Sequence, residues 1–273
     1  MDNTVNKNTN VDDKIRNIKG KVLECKEKLL KSEFWSTLIE HLESQIIENW
    51  VKKRVCFSPR CTLRSGCICH SDILFVIGLG SLESNFNYNF SSFFQLAAVA
   101  AINERIKLEG IYFCDPEFTQ IDRELIFELF MTFDTHIEVF TVHDLSIPLN
   151  TVHYQLKNKL YGRDSHINIL FFMPHCDRCV FGMLIHYFNI GEGKVLYSDS
   201  ARMIVWGNNL ETFKIDSNKN FNKRCEYCKI LLSTLSKIDY KKTDFPVDNY
   251  KTVFYSSFSD LSIYNLPLNN FIY

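Results

Sequence analysis

The chain has 273 residues, of which 46% are hydrophobic and 23% charged, and its formal net charge is −1. These values are ordinary for a globular protein of a size that is stable without disulfides. Because the net charge is so small, no global field attracts the chain to nucleic acid or to a membrane surface. No run of roughly 18 apolar residues occurs, so no membrane-spanning helix is predicted.

The N-terminal region divides into a polar tail and a helical arm. Residues 1–13 are polar and lack both periodicity and an apolar signal core, which predicts a disordered tail. Residues 14–50 predict an amphipathic helical arm that Gly20 weakens or breaks. Its apolar residues recur at spacings of three and four, which favours packing on the domain; docking of a protein partner through this helix is the alternative. They are Trp35, Leu38, Ile39, Leu42, Ile46 and Trp50.

Residues 51–71 form a basic, cysteine-containing linker, and the whole chain holds ten cysteines. In a long chain without an export signal, free thiols in a reducing compartment are the favoured interpretation, which predicts the cytoplasm, the nucleus or both. The linker spacings match no zinc pattern, so no metal is predicted. The C-x-x-C pair 176/179 has the spacing of a reversible disulfide, but no other thioredoxin feature accompanies it. A second C-x-x-C, 225/228, matches no zinc pattern together with the linker.

Residues 72–273 predict a single α/β domain, Rossmann-like and three-layered, with a mostly parallel sheet. Short branched and aromatic runs predict strands at 73–77, 110–114, 136–142, 168–172, 194–198 and 252–257. Helical segments fit between most of them, notably Ser91–Lys107, Thr119–Phe133 and Cys179–Asn189. Thr119 and Asp122 resemble a capping box at the start of the second of these helices.

Candidate ligand-binding residues follow the first predicted strand. Gly78 and Gly80, with Ser81, allow a tight turn in which backbone N–H groups approach a phosphate or carboxylate. The dinucleotide pattern G-x-G-x-x-G is incomplete, because Glu83 occupies the third glycine position. The loop therefore either contacts a ligand or is a structural exit from the strand.

Asp115 follows the second strand, where dinucleotide-binding folds hold a ribose. Its distance of 35 residues from Gly80 exceeds the usual 20 or so. The alternative is that Asp115 turns the backbone ahead of Pro116.

His175 and Cys176 follow the strand at 168–172 and are the candidate catalytic residues. A histidine there would donate to an anion or act as a general base. A cysteine at a helix N-terminus tends towards thiolate. The alternative is structural for both, namely a histidine that fastens a neighbouring loop and an inert thiol. No catalytic constellation is complete, so an enzymatic activity stays undecided and no cofactor is predicted.

These motifs together resemble the "sensitivity to red light reduced" (SRR-like) family over about residues 70–265. The resemblance rests on Gly78–Ser81, Gln95–Ala97, Asp115-Pro116, Met173–Cys176, Asp199-Ser200 and Phe258–Ser262. It implies an intracellular Rossmann-like regulatory domain, linked to circadian-clock input and red-light signalling in plants. Regulation of haem biosynthesis in animals, and cell-division and microtubule roles in fungi, are also implied. No defined reaction, substrate or cofactor comes with the family.

The chain departs from the family at two positions. Asp177 follows Cys176 where the family often has proline, which weakens direct haem capture at Cys176. Asp199 stands where asparagine is expected, beside Ser200. The favoured function is therefore a regulator that binds a small, nucleotide-like ligand or a protein partner at the strand ends. The alternative is an enzyme acting on a nucleotide or an S-adenosylmethionine-like ligand.

Overall fold

The structure is a computed structural model, and it describes residues 5–52, 70–86, 91–106, 108–131, 134–160, 166–189, 202–209, 226–235, 241–244, 255–258 and 261–267. The helices are α1 (Val5–Leu30), α2 (Glu33–Lys52), α3 (Leu82–Asn85), α4 (Ser91–Ile106), α5 (Gln120–Phe130), α6 (Ser146–Leu160), α7 (Arg178–Asn189), α8 (Glu226–Leu235) and α9 (Tyr255–Phe258). The strands are β1 (His70–Ile77), β2 (Gly110–Cys114), β3 (His136–Phe140), β4 (His166–Met173), β5 (Arg202–Asn208), β6 (Lys241–Asp244) and β7 (Leu261–Pro267).

The strands form one sheet in the order β3-β2-β1-β4-β5-β7-β6. The first five in this order are mutually parallel, and β7 runs antiparallel to both of its neighbours. This confirms the predicted α/β fold with a mostly parallel sheet. The chain steps outward from β1 to β3 and then returns to the other side of β1 at β4. A parallel sheet that reverses in this way is compatible with a Rossmann-like fold and has its switch point between β1 and β4.

The centre of the sheet is covered on both faces, which explains why its central strands are mostly apolar. Leu74 and Val76 of β1 face a core layer shared with α1, α2, α4 and α5. Ile73, Phe75 and Ile77 of the same strand face a second layer shared with α6, α7 and α8. The central strands therefore bury alternate side chains against opposite layers of helices.

The helical arm is part of the first core layer. Helix α1 packs against α4 and α5. Each large apolar side chain that the arm buries contributes about 1.5–3 kcal/mol, so detaching the arm would be costly. The buried apolar side chains of the arm thus pack on the domain, which is the alternative that the sequence favoured. The side chains of Ile46 and Trp50 lie outside the described residues. The buried apolar residues are Ile15, Ile18, Val22, Leu29, Phe34, Trp35, Leu38, Ile39 and Leu42.

The start of the arm differs from the prediction. Helix α1 begins at Val5, so it includes most of the segment predicted as a tail, and residues 1–4 lie outside the described residues. The predicted break at Gly20 is wrong, because α1 continues through it. A mid-helix glycine costs about 1 kcal/mol, which the burial of Ile18 and Val22 outweighs. The interruption comes instead at Ser32, whose hydroxyl accepts the Trp35 N–H at 3.1 Å.

The C-terminal part also differs in detail. The run predicted as a strand at 252–257 overlaps α9, so that prediction is wrong for Tyr255–Ser257. Phe258, at the end of α9, stacks on Trp206 and on Phe34, with ring centroids 5.6 and 5.0 Å apart. These aromatic contacts hold the short helix on the core, whereas the predicted strand would have been held by hydrogen bonds to a neighbouring strand. The predicted strand at 194–198 and linker residues 53–69 lie outside the described residues.

Candidate functional site at the carboxyl ends of β1 and β4

The loop that follows β1, residues 78–81, is here called the crest loop. Its two glycines both adopt φ +74°, a conformation that side chains other than glycine rarely take. The Gly78 N–H donates to Cys114 O at 3.3 Å, and the Gly80 N–H donates to the Asp115 carboxylate at 2.7 Å. These two N–H groups are therefore used within the chain and do not point to an external anion.

Asp115 acts as the anchor of the crest loop. Its side chain is buried, with 4% exposure of the residue. One carboxylate oxygen accepts the Gly80 N–H and the other accepts the Glu117 N–H at 2.8 Å. Charge-assisted bonds of this kind are among the stronger hydrogen bonds in proteins. Two predicted site residues that lie 35 positions apart are thus joined directly, and their contact fastens the loop to the turn after β2.

The rest of the crest loop is fixed in a similar way. Ser81 caps α3 by accepting the Ser84 N–H at 3.1 Å. The Ser92 hydroxyl, at the start of α4, donates to Leu79 O at 2.8 Å. The first bond is a helix N-cap, which satisfies a backbone N–H at the start of α3. The second satisfies a backbone carbonyl of the crest loop itself.

Helix α1 contacts the segment just beyond the crest loop. Lys14 forms an ion pair with Glu83 at 2.5 Å, and this pair lowers the pKa of the Glu83 carboxyl. The Glu83 N–H donates to Asp122 at 2.9 Å. Asp122 also completes the predicted capping box with Thr119, which the structure confirms. The arm, the crest loop and α5 thus meet at one junction.

The turn that follows β4, residues 174–177, is here called the β4 turn. Cys176 is buried in it, and its thiol donates to Ile77 O at 3.3 Å. A Cβ atom on Gly78 would lie 2.9 Å from the Cys176 sulfur, so the crest loop and the β4 turn are in close contact. Burial raises the pKa of the Cys176 thiol, and the expected thiolate is therefore not favoured here.

Asp177 caps the helix that begins after the β4 turn. Its carboxylate accepts the Val180 N–H at 3.1 Å, in the first turn of α7. The Asn208 amide donates to Cys176 O at 2.8 Å and fixes the turn from β5. The residue that replaces the expected proline thus has a structural role of its own.

His175 and Asp177 are the exposed residues of the β4 turn. Its Nε2 atom lies 2.9 Å from Nε2 of Gln95, a residue of α4. The same Gln95 nitrogen donates to Ser257 O at 2.8 Å. Because a carbonyl oxygen only accepts, the Gln95 nitrogen is the donor in both contacts, and His175 Nε2 must accept. The imidazole is therefore neutral with its proton on Nδ1, and partial desolvation of the ring lowers its pKa below the ordinary value.

Within the described part of the chain, two polar atoms of the residues joined through Gln95 have no hydrogen-bond partner. They are Oε1 of Gln95 and Oγ of Ser257, and these residues are 0% and 2% exposed. Buried polar atoms are rarely left unpaired in proteins. The sequence did not identify Gln95 or Ser257 as site residues, although a lone glutamine within the apolar run FFQLAAVAA of α4 was a visible signal.

The predicted site residues thus fall into two groups. Gly78, Gly80, Ser81 and Asp115 hold the crest loop together, and Cys176 touches it from the β4 turn. His175 lies beside Gln95 and Ser257 instead. Asp199 and Ser200 lie outside the described residues.

Among the described residues, no helix is long and apolar enough to cross a bilayer. In the same part of the chain, no three histidine, cysteine or acidic side chains gather as a metal site would require. The described fold and site define an α/β protein whose polar groups gather at the switch point of a parallel sheet.

The model of the SRR1 domain matches residues 36–265, so the chain belongs to the SRR1 domain family. The match begins within α2, so of the buried arm residues it includes only Leu38, Ile39 and Leu42. No curated protein and no solved structure matches the chain significantly.

Proposed function

We propose that the chain is a regulatory protein that binds a small polar ligand beside His175, at the switch point between β1 and β4. The observation that carries this proposal is the group formed by Gln95, His175 and Ser257. An exposed imidazole there adjoins two buried polar atoms without partners. In open α/β sheets, ligands bind outside the carboxyl ends of the strands at such a point.

The chemistry of the group indicates what kind of ligand would fit. With Nε2 accepting from Gln95, His175 presents its Nδ1–H as a donor. Gln95 Oε1 is an acceptor without a donor, and the Ser257 hydroxyl can serve in either role. A ligand that carries adjacent donor and acceptor groups, as an amide or a nucleobase edge does, would satisfy all three.

Regulation is favoured over catalysis by the partners of the reactive side chains. The lone pair on His175 Nε2, which a general base would use to take up a proton, already accepts a hydrogen bond from Gln95. The Cys176 thiol is buried and protonated, so it is a poor nucleophile. Within the described residues, no carboxylate is placed to orient His175. The resemblance to regulators of circadian-clock input and haem biosynthesis agrees with this part of the proposal.

The enzyme alternative, with a nucleotide or an S-adenosylmethionine-like ligand, is favoured by the strand order around the switch point. It requires Asp115 to hold a ribose. Against this, both oxygens of its carboxylate already accept backbone N–H groups, and the residue is 4% exposed. A ligand would have to displace the anchor of the crest loop.

Binding of a protein partner to the N-terminal helix remains part of the proposal, but through a different face of that helix. The apolar residues that suggested a docking face, Trp35, Leu38, Ile39 and Leu42, are buried against the domain. A partner would therefore meet the outer, polar face of the arm.

Native mass spectrometry of the purified full chain tests the ligand proposal. We expect a co-purifying mass in the wild type and in the control His143→Ala, which changes an exposed histidine after β3. The extra mass should be lost in His175→Ala and reduced in Gln95→Leu, with both variants still folded. Retention of the mass in His175→Ala would contradict the proposed site. A bare protein mass in every sample would leave only partner binding, and added zinc would indicate a metal site instead.

A further inference from the structure

The arm reaches the proposed ligand site through the short helix α9. This helix has four residues, and a helix so short is not stable without contacts to the rest of the fold. Its Ser257 carbonyl oxygen accepts the Gln95 amide at 2.8 Å. The next residue, Phe258, is buried, and its ring stacks on those of Phe34 and Trp206. The contacts that hold Phe258 therefore also hold Ser257 against Gln95.

Phe34 supplies the arm's side of this contact. It is the second residue of α2, and its side chain is buried. The Trp35 N–H beside it donates to the Ser32 hydroxyl, which caps the start of α2. The position of the Phe34 ring therefore follows the seating of the first turn of α2 on the core.

The same aromatic stack reaches His175 from the other side. The rings of Trp206 in β5 and Phe172 in β4 have centroids 4.4 Å apart, and Phe172 precedes His175 by three residues. Both rings are buried, and close-packed rings cannot shift one at a time. The first turn of α2 is therefore linked to both neighbours of Gln95, namely Ser257 through α9 and His175 through β4.

We propose that the first turn of α2 and the ligand site beside His175 are coupled through Phe34. The site is complete when this turn is seated, and a ligand held by Gln95 and Ser257 favours the seated turn. Phe34 is a positioning residue, because it acts through Phe258 and does not itself belong to the ligand site. The part that concerns the ligand rests on the proposed function, whereas the coupling of Phe34 to Gln95 rests on the contacts alone.

The coupling gives a protein partner a way to control the site. Only the first turn of α2 has to move, so α1 can stay packed on α4 and α5. The exposed side chains of this turn, Glu33, Ser36 and Thr37, offer a partner polar groups beside the buried Phe34. Coupling between two sites is reciprocal. A partner that unseats the turn would therefore weaken binding of the ligand by the same factor by which the ligand weakens binding of that partner.

Solvent exchange of the Gln95 side-chain amide protons, followed by NMR on the full chain, tests the coupling. The chain is kept without added reductant, because Cys179 is disulfide-bonded, which differs from the prediction of free thiols throughout. Phe34→Leu should speed the exchange about tenfold, the effect of losing one aromatic contact, and should shift the His175 imidazole resonances. The matched control Ile18→Val trims another buried side chain of the arm and should do neither. No change in Phe34→Leu, or equal changes in both variants, would overturn the proposal.

The reverse experiment uses a variant that is expected to stay folded. Gln95→Leu should speed exchange of the Trp35 backbone amide, in the first turn of α2, while the amides of α1 keep their rates. Asn103→Leu is the control, because Asn103 is another buried amide of α4 whose nitrogen lacks a partner within the described chain. Faster exchange at Trp35 in both variants, or in neither, would contradict the coupling.

Native mass spectrometry separates the coupling from the ligand. Phe34→Leu should retain a smaller fraction of the co-purifying mass than Ile18→Val does, and equal retention would overturn the ligand part of the inference. A wild type that carries no such mass refutes the ligand of the proposed function, whereas the exchange rates alone decide whether Phe34 is coupled to Gln95.

Discussion

The crest loop after β1 and the β4 turn lie side by side at the end of the sheet, but they differ in how far their polar groups are hydrogen-bonded. In the crest loop, Gly80 bonds to Asp115 and the Ser81 hydroxyl accepts from the backbone of α3. Beside the β4 turn, His175 is exposed, and two atoms of its buried neighbours have no partner.

The two regions thus differ in whether their polar groups have hydrogen-bond partners within the described chain. Polar groups that satisfy one another define a backbone conformation and leave little for a ligand to bind. Unpaired buried groups cost free energy, which binding of a ligand would recover. We therefore infer that the crest loop serves the fold, and we propose that the vicinity of His175 binds a ligand.

The largest effect should come from Gly78→Val. This substitution places a branched side chain at φ +74°, with its Cβ 2.9 Å from the buried Cys176 sulfur. We expect a loss of more than about 3 kcal/mol in the free energy of unfolding, measured by urea denaturation. Gly20→Ala is the matched control, because its Cβ meets nothing and the change should stabilise α1 by up to about 1 kcal/mol. Equal effects of the two variants would refute the assignment of Gly78.

The next largest effect should come from Asp115→Ala. It leaves the N–H groups of Gly80 and Glu117 without their acceptors. We expect a loss of about 2–4 kcal/mol in the free energy of unfolding. Asp115→Asn keeps one side-chain acceptor and should lose less. A change below about 0.5 kcal/mol in Asp115→Ala would show that the carboxylate does not anchor the loop.

A smaller effect on stability is expected from Gln95→Leu, which changes the group beside the β4 turn. The substitution removes the donor to Ser257 O and His175, but it also removes an unpaired buried acceptor. These two changes oppose each other, so the free energy of unfolding should change by less than about 1 kcal/mol. A loss above about 3 kcal/mol would mean that Gln95 serves the fold rather than a ligand.

The smallest effect concerns the protonation of His175. Burial lowers its pKa, so the folded chain holds the imidazole neutral to a lower pH than the unfolded chain does. As the pH falls below the ordinary value of about 6.5, the unfolded chain is protonated first and stability decreases slightly. Titration of the imidazole resonances by NMR should give a pKa below that value, with Nδ1 protonated at neutral pH. A raised pKa would contradict the tautomer assigned from Gln95.

Much of the fold was predictable from the sequence because the central strands are covered on both faces and read as continuous apolar runs. The capping box at Thr119 and Asp122 was predictable because its hydrogen bonds are local. Strands β5 to β7 were not predicted, and α9 was taken for a strand. The position of α9 depends on the stacking of Phe258 between residues distant in sequence, which no local pattern reveals.

The candidate site was predictable only in part. Glycines after a strand mark a tight turn, and the sequence placed Gly78 and Gly80 correctly at a sheet edge. It could not show that the Gly80 N–H would be taken by Asp115, because the two meet only when β1 and β2 pair. Gln95 and Ser257 were missed because their significance lies in missing partners, which only a packed structure reveals.

The most direct test of the central claim compares the two regions in one ¹H–¹⁵N NMR measurement on the full chain. The small-molecule fraction of the cells that express the protein is added to the labelled chain. The account predicts that the His175 imidazole resonances shift while the Gly78 and Gly80 amide signals stay in place. Shifts of the two glycine amides with an unchanged His175 would contradict it and would return the binding site to the crest loop.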